Sequence, residues 1–472
     1  MVIEISGPQT ERVPDPIDTL RVRLRGELIQ PGDETYDAAR TVFWGNVDRH
    51  PSLIVRAVDE IDVIAAVDYA RETGTPIAVR SGGHSFAGFG LVDDGIVVDL
   101  SAMKAMRIDP VRRTARVQPG LTWGEYADQT QVYGLATTSG DVHSVGVGGL
   151  TVGGGVGWMV RKYGLTIDHL LSVDIVTADG RLLRANADEH SDLFWAIRGG
   201  GGNFGIITSL EFRLEPAGTI LGGGVFYPAT DGERIIRAAA DYAAQAPDEL
   251  TTMVMVMRAP ALPFIPAERV GELSVLVAFC YVGDLAEGER VVAPLRTLAT
   301  PIADVVGPMP YPGMFELTKP LTKPGGRLAM RSLYLKSLED DAIKTIVTHS
   351  GQADARFAMA QLRVLGGKMA RIPEQTTAFG HRDKPFMLAV VAEWDDPADD
   401  EHQQAKIIRY YEALQPHAAG IYVNFAQNEG EARVRDAYKP ATYERLAAIK
   451  ARYDPTNLFR QNQNIKPAWP TR

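Results

Sequence analysis

A single cysteine in 472 residues, Cys280, leaves no internal disulfide to be made. It ends the apolar run Glu272–Cys280, which reads as a buried strand, so the thiol reads as core rather than nucleophile. No apolar stretch reaches the length of about 18 residues that a membrane span needs. Positive charge is also in short supply, with 49 Lys and Arg against 59 Asp and Glu, a formal net charge of −10. That balance argues against nucleic acid or an anionic membrane as the main partner, although a local cradle can still hold an anionic cofactor. No histidine or acid pair has zinc-ligand spacing such as His-Glu-x-x-His, so no metal site is expected. No Gly-x-Ser-x-Gly elbow supports a hydrolase. The opening Met1–Gly7 has neither a basic region nor a long apolar run. A signal peptide is therefore not expected, and a reducing cytoplasm is the expected compartment.

Glycine is what the chain has in quantity, and it is concentrated. The first cluster is Arg80-Ser81-Gly82-Gly83-His84-Ser85, which follows the strand-like Pro76–Val79. Two adjacent glycines let a backbone approach a phosphate and adopt dihedrals closed to other residues. Arg80 adds charge before them, and His84 adds a nucleophilic ring nitrogen after them. The second cluster runs from Ser139 to Gly157 and includes His143, Gly146, Gly148, Gly149, Gly153, Gly154 and Gly155. So many glycines read as neither ordinary helix nor strand, and as bare backbone suited to a flat ring or a diphosphate. The third, Arg198-Gly199-Gly200-Gly201-Gly202-Asn203-Phe204-Gly205, leads into a strand whose Ile206 main chain can pair with a base edge. Singly each reads as a loop; three within about 130 residues read as a cradle. A nicotinamide-binding Rossmann unit needs a strand feeding directly into Gly-x-Gly-x-x-Gly, with an acid about 20 residues on. No good strand precedes Gly146, and Asp168 does not end one.

The segments between the clusters read as α+β. A strand at Leu53–Arg56 is followed by a helix over 60–73, capped by Asp59 and stopped by Gly74. Further strands are expected at 96–100, 114–118 and 205–214, a helix at 123–132, and a hairpin at 173–183 turning on Ala178-Asp179-Gly180. From about 218 the texture changes. Strands at 252–258, 272–281, 331–337, 355–363 and 386–394 alternate with helices near 231–245, 284–298, 339–349 and 399–415, a sheet covered by helices. The acidic run Asp395–Glu401 reads as the start of the last of these helices. Ile421-Tyr422-Val423-Asn424-Phe425 reads as a short strand, which puts Tyr422 and Asn424 on one face. The division expected is 1–217 (core 46–217), 218–420 and 421–472.

With these motifs quoted, the chain resembles berberine-bridge-enzyme-like oxidases of the vanillyl-alcohol oxidase/p-cresol methylhydroxylase superfamily. The likeness covers about 46–217 and about 421–467. It implies a two-part FAD-binding domain of the p-cresol methylhydroxylase type, joined to a substrate domain with an antiparallel sheet under helices. It implies that Arg80, Ser81, Gly82, Gly83 and Ser85 form the diphosphate loop and that His84 is bonded to the flavin 8α-carbon. In relatives with a second bond, a cysteine stands where this chain has Val142, so a single tether is expected. Thr151 matches a position near the flavin C4a–N5 edge that influences oxygen access. His143, Gly148, Gly149, Gly153, Gly154 and Ile206 fall on the expected flavin-facing loops, and Asn462 and Gln463 on the tail that returns to the flavin. Phe379-Gly380-His381-Arg382 resembles an element lining the substrate cavity. On residue type alone Tyr422 reads as a buried tyrosine. The resemblance makes it a base or substrate anchor, beside Asn424, with Phe425 where many relatives carry a second tyrosine. The function implied is FAD-dependent oxidation of an alcohol or amine carbon in a small aromatic or natural-product-like molecule, with dioxygen reduced to hydrogen peroxide. The alternatives are a dehydrogenase or oxidative cyclase using another electron acceptor, or a non-catalytic binder on the same frame. Oligomeric state is left open.

Overall fold

Among the described residues, sheets of four, five and eight strands and a two-stranded ribbon organise the chain. The computed structural model describes residues 15–319 and 323–468; the opening Met1–Gly7, read above for a leader, lies outside the described residues. The fold is α+β.

The four-stranded sheet has the order Glu27–Ile29, Leu53–Arg56, Ile96–Asp99, Ile77–Arg80. The last three strands are parallel, and Ile54, Val55, Val97 and Val98 are fully buried, as strands covered on both faces require. Helix Glu60–Thr73 covers one face through Val63, Val67 and Ala70. The Asp59 carboxylate accepts from the amides of Ile61 and Asp62, and Gly74 closes the helix in the left-handed region at φ 72°. The five-stranded sheet is antiparallel, in the order Met106–Asp109, Thr114–Val117, Ile206–Arg213, Leu170–Val176, Leu182–Asn186.

The eight-stranded antiparallel sheet runs Ala303–Asp304, Thr219–Pro228, Leu273–Tyr281, Leu250–Arg258, Phe357–Val364, Phe386–Trp394, Arg327–Leu335, with Gly307–Pro310 also paired to Thr219–Pro228. Alternation gives it two different faces. Val254, Val256, Val275 and Val277 pack under helices Gly232–Gln245, Asp340–Gly351 and Asp400–Leu414. Met253, Met255 and Met257 face the other way, into a cluster that includes Trp158, Ile421 and Val423. The strand Thr219–Pro228 escapes a sequence reading because Gly222-Gly223-Gly224 stands at its centre. A Cβ on Gly223 would lie 2.2 Å from the Val305 carbonyl oxygen, so the glycines admit the chain that crosses there.

Two expectations are corrected. Val147–Gly153, inside the second glycine cluster, is a seven-residue helix rather than a structureless cradle. Tertiary packing overrides glycine's poor helix propensity over so short a length. Ile421–Phe425 is not a strand: Tyr422 is extended and Val423–Phe425 forms one 3-10 turn. Among the described residues, no helix is long and apolar enough to cross a membrane.

The C-terminal segment is fastened to the third glycine cluster by a fully buried ion pair. Lys450 Nζ donates to Asp454 Oδ2 at 2.6 Å, to the Asn203 carbonyl at 2.6 Å and to the Phe459 carbonyl at 2.8 Å. Asp454 also accepts from the amides of Leu458 and Phe459. Every charge and donor in the knot is answered, which is the condition under which a buried pair is tolerated. Lys450→Met should strand the carboxylate and cost about 3–5 kcal/mol of unfolding free energy. Urea denaturation measures that cost, and limited proteolysis should show early cleavage beyond 454.

Candidate functional site

The strand Ile77–Arg80 ends in the loop Ser81–Ser85, and the loop is fixed from all sides. Arg80, expected to offer its charge to a phosphate, instead forks onto Asp99 of the neighbouring parallel strand, Nη2 to Oδ2 at 2.7 Å and Nε to Oδ1 at 3.3 Å. Its Nη1 donates to the Thr41 carbonyl. Burial pushes the Asp99 carboxyl up, but the Arg80 hydrogen bonds and charge outweigh it and hold the pKa below the ordinary value. Arg80 therefore braces the loop, and its charge is already answered. Ser81 Oγ donates to the Pro119 carbonyl at 2.5 Å, and Ser85 Oγ accepts from the Phe89 amide at 3.2 Å. Gly83 turns through φ 70°. Gly82 meets the second glycine cluster backbone to backbone: a Cβ on it would stand 2.3 Å from the Gly146 nitrogen.

His84 lies at the tip of this loop. Its ring stacks on Phe43 with centroids 3.9 Å apart and meets the edge of Trp44 at 6.2 Å. Nε2 is buried with no hydrogen-bond partner. Burial pushes the imidazole pKa down to about 4, so the ring is neutral at pH 7 and keeps a nucleophilic nitrogen lone pair. Phe43 and Trp44 were not singled out in the sequence; their only signal was two adjacent aromatics ahead of the first parallel strand.

Across from this loop lies the second cluster. Gly149 is exposed with open space where a Cβ would stand, and Gly148 packs on Pro119. Thr151 is fully buried and turns its hydroxyl back onto the Val147 carbonyl at 2.7 Å. Val142 is half-buried, and the lone Cys280 lies fully buried within the strand Leu273–Tyr281. His143 sits beside a helix. Its ring lies against Gly124 of helix Trp123–Gln131, where a Cβ would be 2.1 Å from the imidazole, and near Asp128. The missing side chain at Gly124 makes that seat. Ile206 opens its strand beside Val176, while the neighbour on the other side begins pairing only at Leu210, so its main chain has an unpaired edge there. In the tail, Gln463 Nε2 is spent on the Ala426 and Gln427 carbonyls. Asn462 Nδ2 donates to the Gly202 and Phe459 carbonyls, leaving its buried Oδ1 without a partner.

Tyr422 and Asn424 meet although their segment is a turn. Asn424 Nδ2 donates to the Leu150 carbonyl at 2.9 Å and to the Tyr422 hydroxyl at 3.0 Å. The carbonyl can only accept, which fixes the amide's orientation. Gly153 is glycine because a Cβ there would fall 1.9 Å from Asn424 Oδ1. The Gly155 amide donates to the Tyr422 oxygen at 2.9 Å. The phenol thus accepts two hydrogen bonds and keeps its own proton to give. Burial drives its pKa to about 12 against the opposing pull of Gly155, Asn424 and the Arg363 charge. Rings link the two halves: Trp44 stacks on Phe86 at 5.5 Å, Phe86 meets Phe425 at 5.9 Å, and Phe425 meets Tyr422 at 5.0 Å. Phe379, just before His381 and Arg382 in the chain, meets the Tyr422 ring at 6.0 Å. His381 packs on Tyr334 at 5.2 Å, and Arg382 is locked to Asp168 at 2.7 Å.

These ring contacts therefore connect a neutral imidazole with an orphaned nitrogen and an uncharged phenol, flanked by side-chain-free main chain and an unpaired strand edge. That donor set suits a flat heterocycle with a phosphate-bearing tail. Among the described residues no group of three or more His, Cys, Asp or Glu side chains is placed to hold a metal ion.

Comparison with known proteins agrees with this geometry. Residues 51–186 match the FAD binding domain family, and residues 421–466 match the berberine and berberine-like family. The chain is 31% identical to the FAD-linked oxidoreductase YgaK of Bacillus subtilis over 95% of its length and 98% of the relative's. It is 31% identical to (R)-6-hydroxynicotine oxidase of Paenarthrobacter nicotinovorans, covering 94% of this chain and 97% of that one. The crystal structure of 6-hydroxy-D-nicotine oxidase from Arthrobacter nicotinovorans superposes with a TM-score of 0.84 at 29% identity, over 94% of this chain and 98% of the other. Carbohydrate oxidase from Microdochium nivale, solved with a substrate analogue, gives a TM-score of 0.84 at 25% identity, over 96% of this chain and 99% of that one.

Gly153→Ala tests the close approach that seats Asn424. The added methyl should push the amide away, free the Tyr422 hydroxyl and cost roughly 1–3 kcal/mol by overpacking. Thermal denaturation measures the stability loss. Tyrosine ultraviolet difference titration should show a changed phenol pKa.

Proposed function

The chain belongs to the berberine-like family of FAD-linked oxidoreductases, and we propose that it is an oxidase carrying FAD on His84 and acting on an alcohol or amine carbon of a small organic molecule. The observation that carries this reading is the His84 ring, held neutral between aromatic neighbours, with Nε2 buried and unanswered at the mouth of a glycine cradle. A buried polar atom left unpaired is costly, and a bond to a bound group removes the cost. Bound FAD would supply the hydride acceptor and the two-electron route to dioxygen, giving the oxidised substrate and hydrogen peroxide. One tether is proposed, because Val142 has no sulfur and Cys280 is buried in a strand of the large sheet.

The chain's own residues define the other roles. The main chain at Gly82, Gly83, Gly148 and Gly149 is proposed to face the diphosphate and ring, with open space at Gly149 and with Ser81 and Ser85 holding the first loop in shape. The unpaired edge at Ile206 and the free Asn462 Oδ1 are proposed to contact the nucleotide end and the ring or its chain. Asn424, held by Leu150, fixes the Tyr422 hydroxyl. With its pKa near 12 and two hydrogen bonds accepted, that hydroxyl is a proton donor to substrate, an anchor rather than a resting base. The relatives are named for 6-hydroxynicotine and for carbohydrate, so the same frame serves both amine-bearing rings and sugars.

Acid precipitation separates attached from dissociable flavin. Wild-type precipitate should stay yellow, whereas His84→Ala should release its colour to the supernatant; colour lost completely from wild type refutes the tether. Tyr422→Phe should lower turnover on the order of 10²-fold with flavin content unchanged. Because the phenol keeps its proton, the wild-type rate profile should show no tyrosine limb between about pH 6 and 10. A limb in that window that Tyr422→Phe abolishes would restore the base role.

A further inference from the structure

The eight-stranded sheet turns a face of methionine toward the Tyr422 side, and a few polar groups interrupt it. In-register pairing sets Tyr334, Met387, Arg363 and Met253 side by side on one rung. The next rung carries Ser332, Ala389, Gln361 and Met255. Arg363 is 4% exposed. One arm is taken, Nη2 to Asp141 Oδ2 at 2.6 Å, while Nε and Nη1 are buried with no partner. The guanidinium lies over the Phe425 ring at 5.0 Å, and Phe425 touches Tyr422. Tyr334 is wholly buried, and its hydroxyl too has no partner. The Arg363 charge acts on both phenols, Tyr334 and Tyr422, so the three groups share one neighbourhood.

Resting on the oxidase reading above, we propose that Arg363 and Tyr334 form an oxygen clamp for the substrate. They hold a carbonyl or phenol oxygen of an uncharged ring compound, whose ring lies on Met253, Met255 and Met387 next to Tyr422. Three arguments select this class. Buried N–H groups on a charged donor are costly unanswered and repay an acceptor strongly. Arg363 is already neutralised by Asp141, so an anionic substrate would bring an unmatched charge into the cleft. The clamp groups donate and the wall is thioether and alkyl, whereas a sugar ring presents many hydroxyls that each need donors and acceptors. Gln361, whose amide points at the Met255 sulfur, and Ser332 are the polar residues of the next rung.

The test uses purified flavin-containing enzyme and three probes: 1-tetralone, tetralin, which is the same ring body without the oxygen, and cellobiose. Binding is read from perturbation of the flavin visible bands. The ketone should bind roughly tenfold tighter than the hydrocarbon, the worth of one good hydrogen bond to a charged donor, and cellobiose should leave the bands unchanged. Tyr334→Phe, which keeps the ring, should cut the ketone-to-hydrocarbon ratio severalfold, and Arg363→Lys, which keeps the charge, should remove most of it. Tetralin affinity should hold in both variants; a merely structural role would move the two ligands together and leave the ratio alone. Equal binding of ketone and hydrocarbon, no perturbation by either, or binding of cellobiose in preference overturns the clamp, while rapid reoxidation by air of the dithionite-reduced flavin in the same sample upholds the oxidase reading. A preparation that takes up no flavin overturns both.

Discussion

The site depends on places where another segment meets bare main chain and no Cβ fits. Gly82 lies against Gly146, and each would clash with the other's backbone nitrogen if either carried a side chain. That contact fixes the loop bearing His84 relative to the helix Val147–Gly153. The same helix ends at Gly153, whose bare face admits Asn424, and Asn424 in turn positions Tyr422. Two close approaches and one hydrogen bond therefore join the first sheet, the second glycine cluster and the C-terminal segment. Loss of freedom at these glycines is offset by what they allow, since no other residue lets three separate segments converge within hydrogen-bond reach of one groove.

Burial then acts on the His84 and Tyr422 rings in opposite directions with one result. It lowers the pKa of His84 to about 4 and raises that of Tyr422 to about 12, because in each case it penalises the charged form. Both rings are neutral across the physiological range, one keeping a lone pair and the other a proton. The charge near the groove sits instead on arginines matched to acids: Arg80 with Asp99, Arg363 with Asp141, Arg382 with Asp168. Such pairs hold orientation without leaving a net field in the cleft, so the ligand chemistry is decided by which donors remain unanswered.

The sequence made some of this legible and hid the rest for definable reasons. Local signals survived folding: Asp59 and Gly74 bound their helix, and Ala178-Asp179-Gly180 turns its hairpin, with Gly180 at φ 80°. The glycine clusters pointed to a cradle because bare backbone has few other uses at that density. The helix within Ser139–Gly157 was hidden because its stability comes from neighbours, as at Thr151, buried with its hydroxyl returned to Val147. The turn at Val423–Phe425 was hidden because alternation of apolar and polar residues over five positions suits a strand equally well. Arg80 looked like a free cation because its partner, Asp99, is on another strand, and nothing local showed that Gly124 would receive the His143 ring.

The middle third was the least readable, and its physics says why. Period-two alternation reveals that a strand has two faces but not which one a helix will cover. Here the branched residues went under the helices and the methionines toward the groove. That assignment has a functional logic. Valine and isoleucine lock one rotamer and give a rigid seam, which suits the permanent contact between helices and sheet. Methionine is unbranched and polarizable, and it moulds to whatever ring is laid on it. As the proposed substrate wall, such a surface would not select by shape. Discrimination must then come from the few polar groups set into it, which is why a single half-answered guanidinium on the strand Phe357–Val364 weighs more in the reading of this site than the many apolar residues around it.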